Sequence, residues 1–237
     1  MKIVVNHLTR MSEGHVCVAG IHVLSGQHVR PVLSSGSLTV EMLARHGGCF
    51  DIGHLVDIGE AVARPRPPHV EDHLFDPAAV KFVRQFAAGE FWALLFRMSR
   101  PTLRELFGDA LRPQGRSSWG TDVGHGAVSL GCLLLKRMPR LHYMPSGEYK
   151  ASIRMHISDS EADLWAPVTD LRLYRDDHAT PDPKVAERIA QRIRKSRSVI
   201  LGMGLTREFC PSTEAHPAHW LQVNNIHLET NPTWQLG

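Results

Sequence analysis

Lysine is scarce in this chain. Only six of the 27 basic side chains are lysine (Lys2, Lys81, Lys136, Lys150, Lys184 and Lys195), which leaves 21 arginines, alongside 15 histidines, in 237 residues. Cysteine is thin too: Cys17, Cys49, Cys132 and Cys210 form no CxxC pair and no dense framework. Reduced thiols in a cytoplasmic protein are therefore expected, rather than disulfides or a zinc ribbon. Apolar runs such as Leu133 to Leu135 and Ala93 to Phe96 fall far short of the roughly 20 residues of a membrane helix. Ile3-Val4-Val5 is too short for a secretory h-region, so neither membrane nor export is implied. GxxxxGK[ST] and GxGxxG do not occur, and Gly115-Arg116-Ser117-Ser118-Trp119-Gly120 is not GxSxG. These absences argue against a P-loop ATPase and a Rossmann dehydrogenase, and they leave no catalytic residue and no cofactor to name.

The remaining totals are those of an ordinary folded protein: net charge +3, 43% apolar and 22% charged residues, with 15 scattered prolines. Residues 2–6, 15–24 and 28–33 are rich in valine and isoleucine, and Ser25-Gly26-Gln27 suits a hairpin turn between the last two runs. A short helix is expected over Leu38 to Arg45. A strand is expected over Gly53 to Ala63, stopped by Arg64-Pro65-Arg66-Pro67-Pro68. From Asp76-Pro77 the spacing of Ala79, Val80, Phe82, Val83 and Phe86 predicts a helix, and Glu90 to Phe107 a second one broken or kinked at Pro101. Residues 112–126 read as a linker. Strands are expected again over 128–136, 140–144, 148–157, 165–174, 198–205 and 219–228, with a helix over about 184–195 carrying Val185, Ile189 and Ile193 on one face.

A small curled sheet interrupted by one helix, stated twice, suits the five-stranded Greek-key barrel of the oligonucleotide-binding (OB) type, although SH3-like barrels give similar strings. The expected fold class is mainly β with helical insertions (α+β): two tandem OB-like small β-barrels, over 1–125 with a helical insertion at about 76–108, and over 126–237. Leu8-Thr9-Arg10 and Ile21-His22-Val23 are faintly echoed by Leu205-Thr206-Arg207 and Ile226-His227-Leu228.

Several segments carry a resemblance to a known family: Asn6 to Arg10, Cys17 to Ile21, Arg30-Pro31-Val32, Pro68 to His73, Val168 to Tyr174 and Gly204 to Arg207. On these the chain resembles bacterial proteins with a dual OB-containing domain. The resemblance spans nearly the whole chain and implies two OB-like barrels that bind nucleic acid or nucleotides. It also implies a setting in DNA transactions or defence against foreign DNA. It brings no catalytic residues.

Arginine is the strongest physical clue, because guanidinium grips phosphate bidentately and stacks on bases, whereas lysine is a point charge. Arg10, Arg30, Arg154, Arg172 and Arg207 fall on or at the ends of expected strands, where an OB face presents its contacts. Arg188 and Arg192 share one face of the 184–195 helix and could follow a phosphate backbone. Asn224, Asn225 and His227, on the last strand, offer amide and imidazole groups that could read base edges. Arginine in place of lysine is also what a GC-rich genome writes, and a basic helix face is commonly only solvated. His69, Glu71, Asp72 and His73 are weak metal candidates that match neither HExxH nor HxHxDH, and Cys210, His216 and His219 lack a second close pair.

The expectation is a non-catalytic module binding nucleic acid or a nucleotide through arginine-rich faces. Two alternatives stand beside it: a metal-dependent enzyme acting on nucleic acid through the His69 to His73 segment, and a subunit that docks a protein partner on residues 82–107. Phe91-Trp92-Ala93-Leu94-Leu95-Phe96 in that stretch is apolar nearly all round and needs cover.

Overall fold

The computed structural model describes residues 1–114, 118–147, 150–210 and 216–235. Residues 115–117 of the expected linker, residues 148–149 of an expected strand, and 211–215 between Cys210 and His216 lie outside the described residues.

The β-branched runs near the start form β1 (Lys2–Arg10), β2 (Val16–His22) and β3 (His28–Val32), followed by β4 (His54–Asp57), β5 (Ala61–Ala63), β6 (Asp72–Phe75) and β7 (Lys81–Gln85). They make one curled seven-stranded sheet in the order β5-β6-β3-β2-β1-β4-β7. Next come α1 (Ala88–Met98), β8 (Ser99–Arg100), α2 (Leu103–Phe107), β9 (Arg112–Pro113), β10 (Trp119–Asp122) and β11 (Leu130–Leu134). The chain continues through β12 (Arg140–Met144), β13 (Ser152–Ser158), β14 (Asp163–Pro167), α3 (Pro183–Lys195), β15 (Val199–Leu205) and β16 (Ala218–Leu228). A six-stranded sheet runs β8-β11-β15-β16-β10-β9, and a small one runs β12-β13-β14. The molecule is mostly β, with two curled sheets, a third small sheet and few helices, consistent with tandem OB-like barrels. Among the described residues no helix is long and apolar enough to cross a membrane.

Two apolar cores fill these sheets. Ile3, Val18, Ile21, Phe50 and Val56 form the first with Phe91 and Leu95 of α1. Ile153, Met155 and Ile157 of β13 form the second with Val185, Ile189 and Ile193 of α3. Alternation along β11 and β15 connects them, since successive strand residues point to opposite faces. Cys132 and Ile200 enter the first core, while their neighbours Leu133 and Leu201 enter the second. These two strands are therefore a wall with a core on each side, which is why β15 is buried throughout.

Several expected elements take a different form. Residues 38–45 make two 3-10 turns, Val40–Met42 and Ala44–His46, not a helix. Asp76 caps and Pro77 opens only a single 3-10 turn, after which Lys81–Gln85 runs as the edge strand β7 against β4. That strand is exposed along its whole length, so burial never sorted its apolar residues into a strand pattern. The expected strand 53–63 is divided at Gly59, whose φ of +70° turns the chain between β4 and β5. The expected strand 165–174 ends at Pro167, and Asp170 caps a 3-10 turn over Leu171–Leu173. The expected helix over 90–107 is broken around Pro101, with Thr102 capping α2 through the Glu105 amide. In α1, Phe91, Leu94 and Leu95 are buried, so the apolar run is covered largely by the protein itself, although Phe96 remains 56% exposed. In α3, Asp182 caps the amides of Lys184 and Val185 ahead of Pro183 at the first position, as the apolar spacing requires.

The two halves are joined where β1 meets β16. β4 pairs with β1 only from Lys2 to Val4, and a bulge at Asn6 follows, so the outer edge of β1 is open beyond that point. The Asn225 side-chain amide closes it, accepting from the Leu8 amide (2.7 Å) and donating to the Leu8 carbonyl (3.2 Å). One step further, the Arg10 amide donates to Thr169 O (3.0 Å) and the Thr169 amide to Val223 O (2.8 Å). The His227 ring sits between two carbonyls, Nε2 3.1 Å from Asn6 O and Nδ1 3.0 Å from Pro232 O. Replacing Asn225 with Ala would strand two buried backbone groups, at about 1–3 kcal/mol each. Asn225→Ala should therefore lower the unfolding free energy in urea by about 2–6 kcal/mol; a loss below about 0.5 kcal/mol would show that the amide does not join the halves.

Candidate functional site: an arginine-lined cleft

A cleft of about 1010 Å³ opens where β1, β3 and β6 of the first half meet the end of β15 and the middle of β16. Five arginines line it, Arg10, Arg30, Arg64, Arg66 and Arg207, against two carboxylates, Asp72 and Glu208. They arrive from separate places in the chain: the end of β1, the middle of β3, the proline-rich loop before β6, and the turn after β15.

Asp72 organises the arginines. Its Oδ1 accepts from Arg30 Nε at 2.6 Å and its Oδ2 from Arg207 Nη1 at 2.7 Å. One carboxylate thus holds a cation from each half, with the side chains of Arg30 and Asp72 only 6% and 8% exposed. Arg10 lies with its guanidinium 4.5 Å over the Tyr174 ring. Arg64 and Arg66 are exposed at the mouth, and the Arg64 amide donates to Asp72 O (2.7 Å). The prolines between and after these two arginines cannot enter a ladder, which keeps the loop off the sheet and at the rim.

The cleft floor is built on two glycines. A Cβ at Gly204 would come within 2.3 Å of the Asn224 amide, and one at Gly202 within 3.1 Å of the His7 ring. Both strand positions must be bare for Asn224 and His7 to pack there. The Asn224 Nδ2 amide donates to His7 Nδ1 (3.2 Å), which leaves the His7 proton on Nε2. Burial, then the charges of His28, His227 and Arg30, hold His7 neutral, with its pKa well below the ordinary value.

Arg10, Arg30 and Arg207 are thus brought together, and the other expected site residues lie elsewhere. Arg172 clamps the C-terminal segment: it donates to both Asp170 oxygens (2.9 and 2.8 Å), to Ile226 O (3.0 Å) and to Trp234 O (3.2 Å), and stacks 3.9 Å over the Trp234 ring. Asn225 is fully buried at the junction of the halves. Arg154 stands on the outer face of β13, beside a Trp165 ring contacted by His142 (4.8 Å) and His156 (5.0 Å). Arg188 and Arg192 are on α3, away from the cleft.

The His69 to His73 segment divides its groups. Glu71 accepts from the Ser129 amide (2.7 Å), the Ser129 hydroxyl (2.8 Å) and the Leu130 amide (3.1 Å), tying the first sheet to the start of β11. Asp72 faces the cleft, His73 Nδ1 donates to Glu71 O (2.8 Å), and His69 packs edge-on against His219 at 4.9 Å. Among the described residues no three His, Cys, Asp or Glu side chains are grouped to hold a metal.

Arg64, Arg66 and His7 were missed from sequence, whereas Asn224, expected beside Asn225 on the last strand, does line the cleft. The arginine-proline alternation at 64–68 and the two glycines inside an apolar strand were the signals that could have pointed to them.

A family model described as the dual OB-containing domain matches residues 1–226. The chain belongs to the dual OB-containing domain family. No curated protein and no solved structure matches it. In this dual OB chain, the matched residues take in all three sheets except the last two residues of β16, together with the shared wall and the whole cleft.

Burial lowers His28 to about 4 and His69 to about 2, so both rings, like His7, are neutral in the folded state at pH 7. In the unfolded chain each takes up its proton near 6.5. Stability from these groups is full above that value and is lost as the pH falls toward the folded values. The urea midpoint should drop steadily from pH 7 to pH 5; a flat midpoint across that range would contradict the buried neutral histidines.

Proposed function

We propose that this protein is a non-catalytic module that binds nucleic acid or a nucleotide in the cleft between its two barrels. The observation that carries this reading is the convergence of five arginines from both halves on one cleft with only two carboxylates. Phosphate oxygens are the natural partners of such a set, because planar donor forks match them bidentately. Membership of the dual OB family supports the same reading, since OB barrels commonly present oligonucleotides to their strands and loops. The cleft is of the size that holds small ligands and is open at the Arg64–Arg66 rim, so a short single strand or a free nucleotide can enter.

A second reading, docking of a protein partner on residues 82–107, rests on one observation: Phe82, Val83 and Phe96 are exposed on edge strand β7 and helix α1.

Titration with a single-stranded oligonucleotide across a salt series tests the first reading. The logarithm of the association constant should fall linearly with log salt, and Arg64→Gln with Arg66→Gln should weaken binding and reduce that slope by about 1 for each phosphate contact removed. Arg188→Gln with Arg192→Gln should leave both unchanged. Salt-independent binding, or an equal effect of the α3 pair, would sink the cleft as the interface.

A further inference from the structure

Seven buried side-chain polar atoms lack a hydrogen-bond partner among the described residues, and three of them belong to residues that line the cleft: His7 Nε2, Arg10 Nε and Arg30 Nη2. Native proteins leave few such groups unpaired, since each keeps its full desolvation cost when buried without a partner. Their chemistry is one-sided. Arg10 and Arg30 are cations with donors only, and His7 presents an N–H at Nε2 because its other nitrogen accepts from Asn224. Whatever completes these groups must bring several acceptors and negative charge, and no donors are needed.

From this we infer that the cleft floor is a subsite for a terminal phosphate, so that the preferred ligand is a phosphomonoester: a nucleoside monophosphate or a phosphorylated strand end. The inference rests on the cleft being the binding site proposed above. It follows from how the donors are placed. Arg30 and His7 line the cleft but are only 5% and 1% exposed, whereas Arg64 and Arg66 are exposed at its mouth. An internal phosphodiester has two non-bridging oxygens and a sugar on either side, so it suits an exposed track. A monoester has three such oxygens and a single tether, so it can enter a floor end-first and meet donors from two neighbouring elements. Asp72 prepares the floor: by taking Arg30 Nε and Arg207 Nη1 it fixes the Arg30 guanidinium and leaves Nη2 unengaged. The rim arginines then serve whatever follows the phosphate, whether a sugar and base alone or a longer strand.

The test uses the intact protein and short single-stranded thymidine oligonucleotides of one sequence ending in a 5′-hydroxyl, a 5′-phosphate or a 3′-phosphate. Each is labelled at the opposite end and followed by fluorescence anisotropy at about 0.2 M salt, where simple differences in charge count are screened. Thymidine and its 5′-monophosphate serve as competitors. One phosphorylated end should bind at least tenfold tighter than the hydroxyl form, and the monophosphate should compete where thymidine does not. Arg10→Gln, at the half-buried end of β1, and Arg30→Gln should each reduce that preference to about twofold or less. The wild-type comparison stands by itself if Arg30→Gln does not fold. Equal binding of phosphorylated and hydroxyl ends would overturn the terminal-phosphate subsite and leave the cleft as a nucleic-acid site. Failure of every oligonucleotide and of the monophosphate to bind, even at low salt, would overturn the binding reading itself and the subsite with it.

Discussion

Strand β1 has a full-length neighbour on one side only. β2 pairs with it from end to end, whereas β4 leaves it after Val4, and the backbone groups of Leu8 then face the second half of the molecule. A strand edge buried without partners is unaffordable in an apolar interior, because each orphaned N–H or C=O keeps its desolvation cost. The Asn225 amide supplies the missing donor and acceptor at Leu8, and Thr169 supplies the next backbone link to β16. Everything between the barrels depends on that closure. It sets β16 against β1, puts β15 at a fixed distance behind them, and so determines where the end of β15 delivers Arg207.

Asp72 is the electrostatic counterpart of this junction. A buried guanidinium such as Arg30 requires a compensating anion, and Asp72 provides it while also holding Arg207 from the other half. Structural pairing and the ordering of the cleft arginines are therefore the same contact. Glu71, the adjacent residue, faces the opposite way and ties the first sheet to Ser129 and Leu130. Two neighbouring carboxylates, Glu71 in the turn before β6 and Asp72 at its first position, thus fasten the two barrels at separate points.

Much of the architecture was legible in the sequence where burial imposes a period. Strand β13, with Ile153, Met155 and Ile157 alternating with polar residues, and helix α3, with Val185, Ile189 and Ile193 behind Asp182-Pro183, each face one core and read accordingly. β7 did not, because an edge strand exposed along its length carries no burial pattern to read. The site was legible only in part. Arg10, Arg30 and Arg207 stand out as arginines on or at the ends of strands, but their convergence depends on a junction between residues distant in sequence. Arg172 looks the same in sequence and is occupied by Asp170 and the Trp234 segment. Asn225 offers a base-reading amide in sequence and uses both of its amide groups on Leu8. Composition told which residue type mattered and could not tell a free guanidinium from a clamped one.

Leu8 and Asn225 are 217 positions apart. During synthesis, β1 must therefore wait with an open edge for nearly the whole length of the chain, and the cleft acquires its β15 and β16 wall only after the final hairpin has emerged. Contacts of such separation form late and slowly, since their loop-closure entropy comes before their reward. The full arginine set is thus a property of the completed chain: nascent forms would carry the first sheet, Asp72 and four of the five arginines without Arg207 and the β15–β16 side of the cleft.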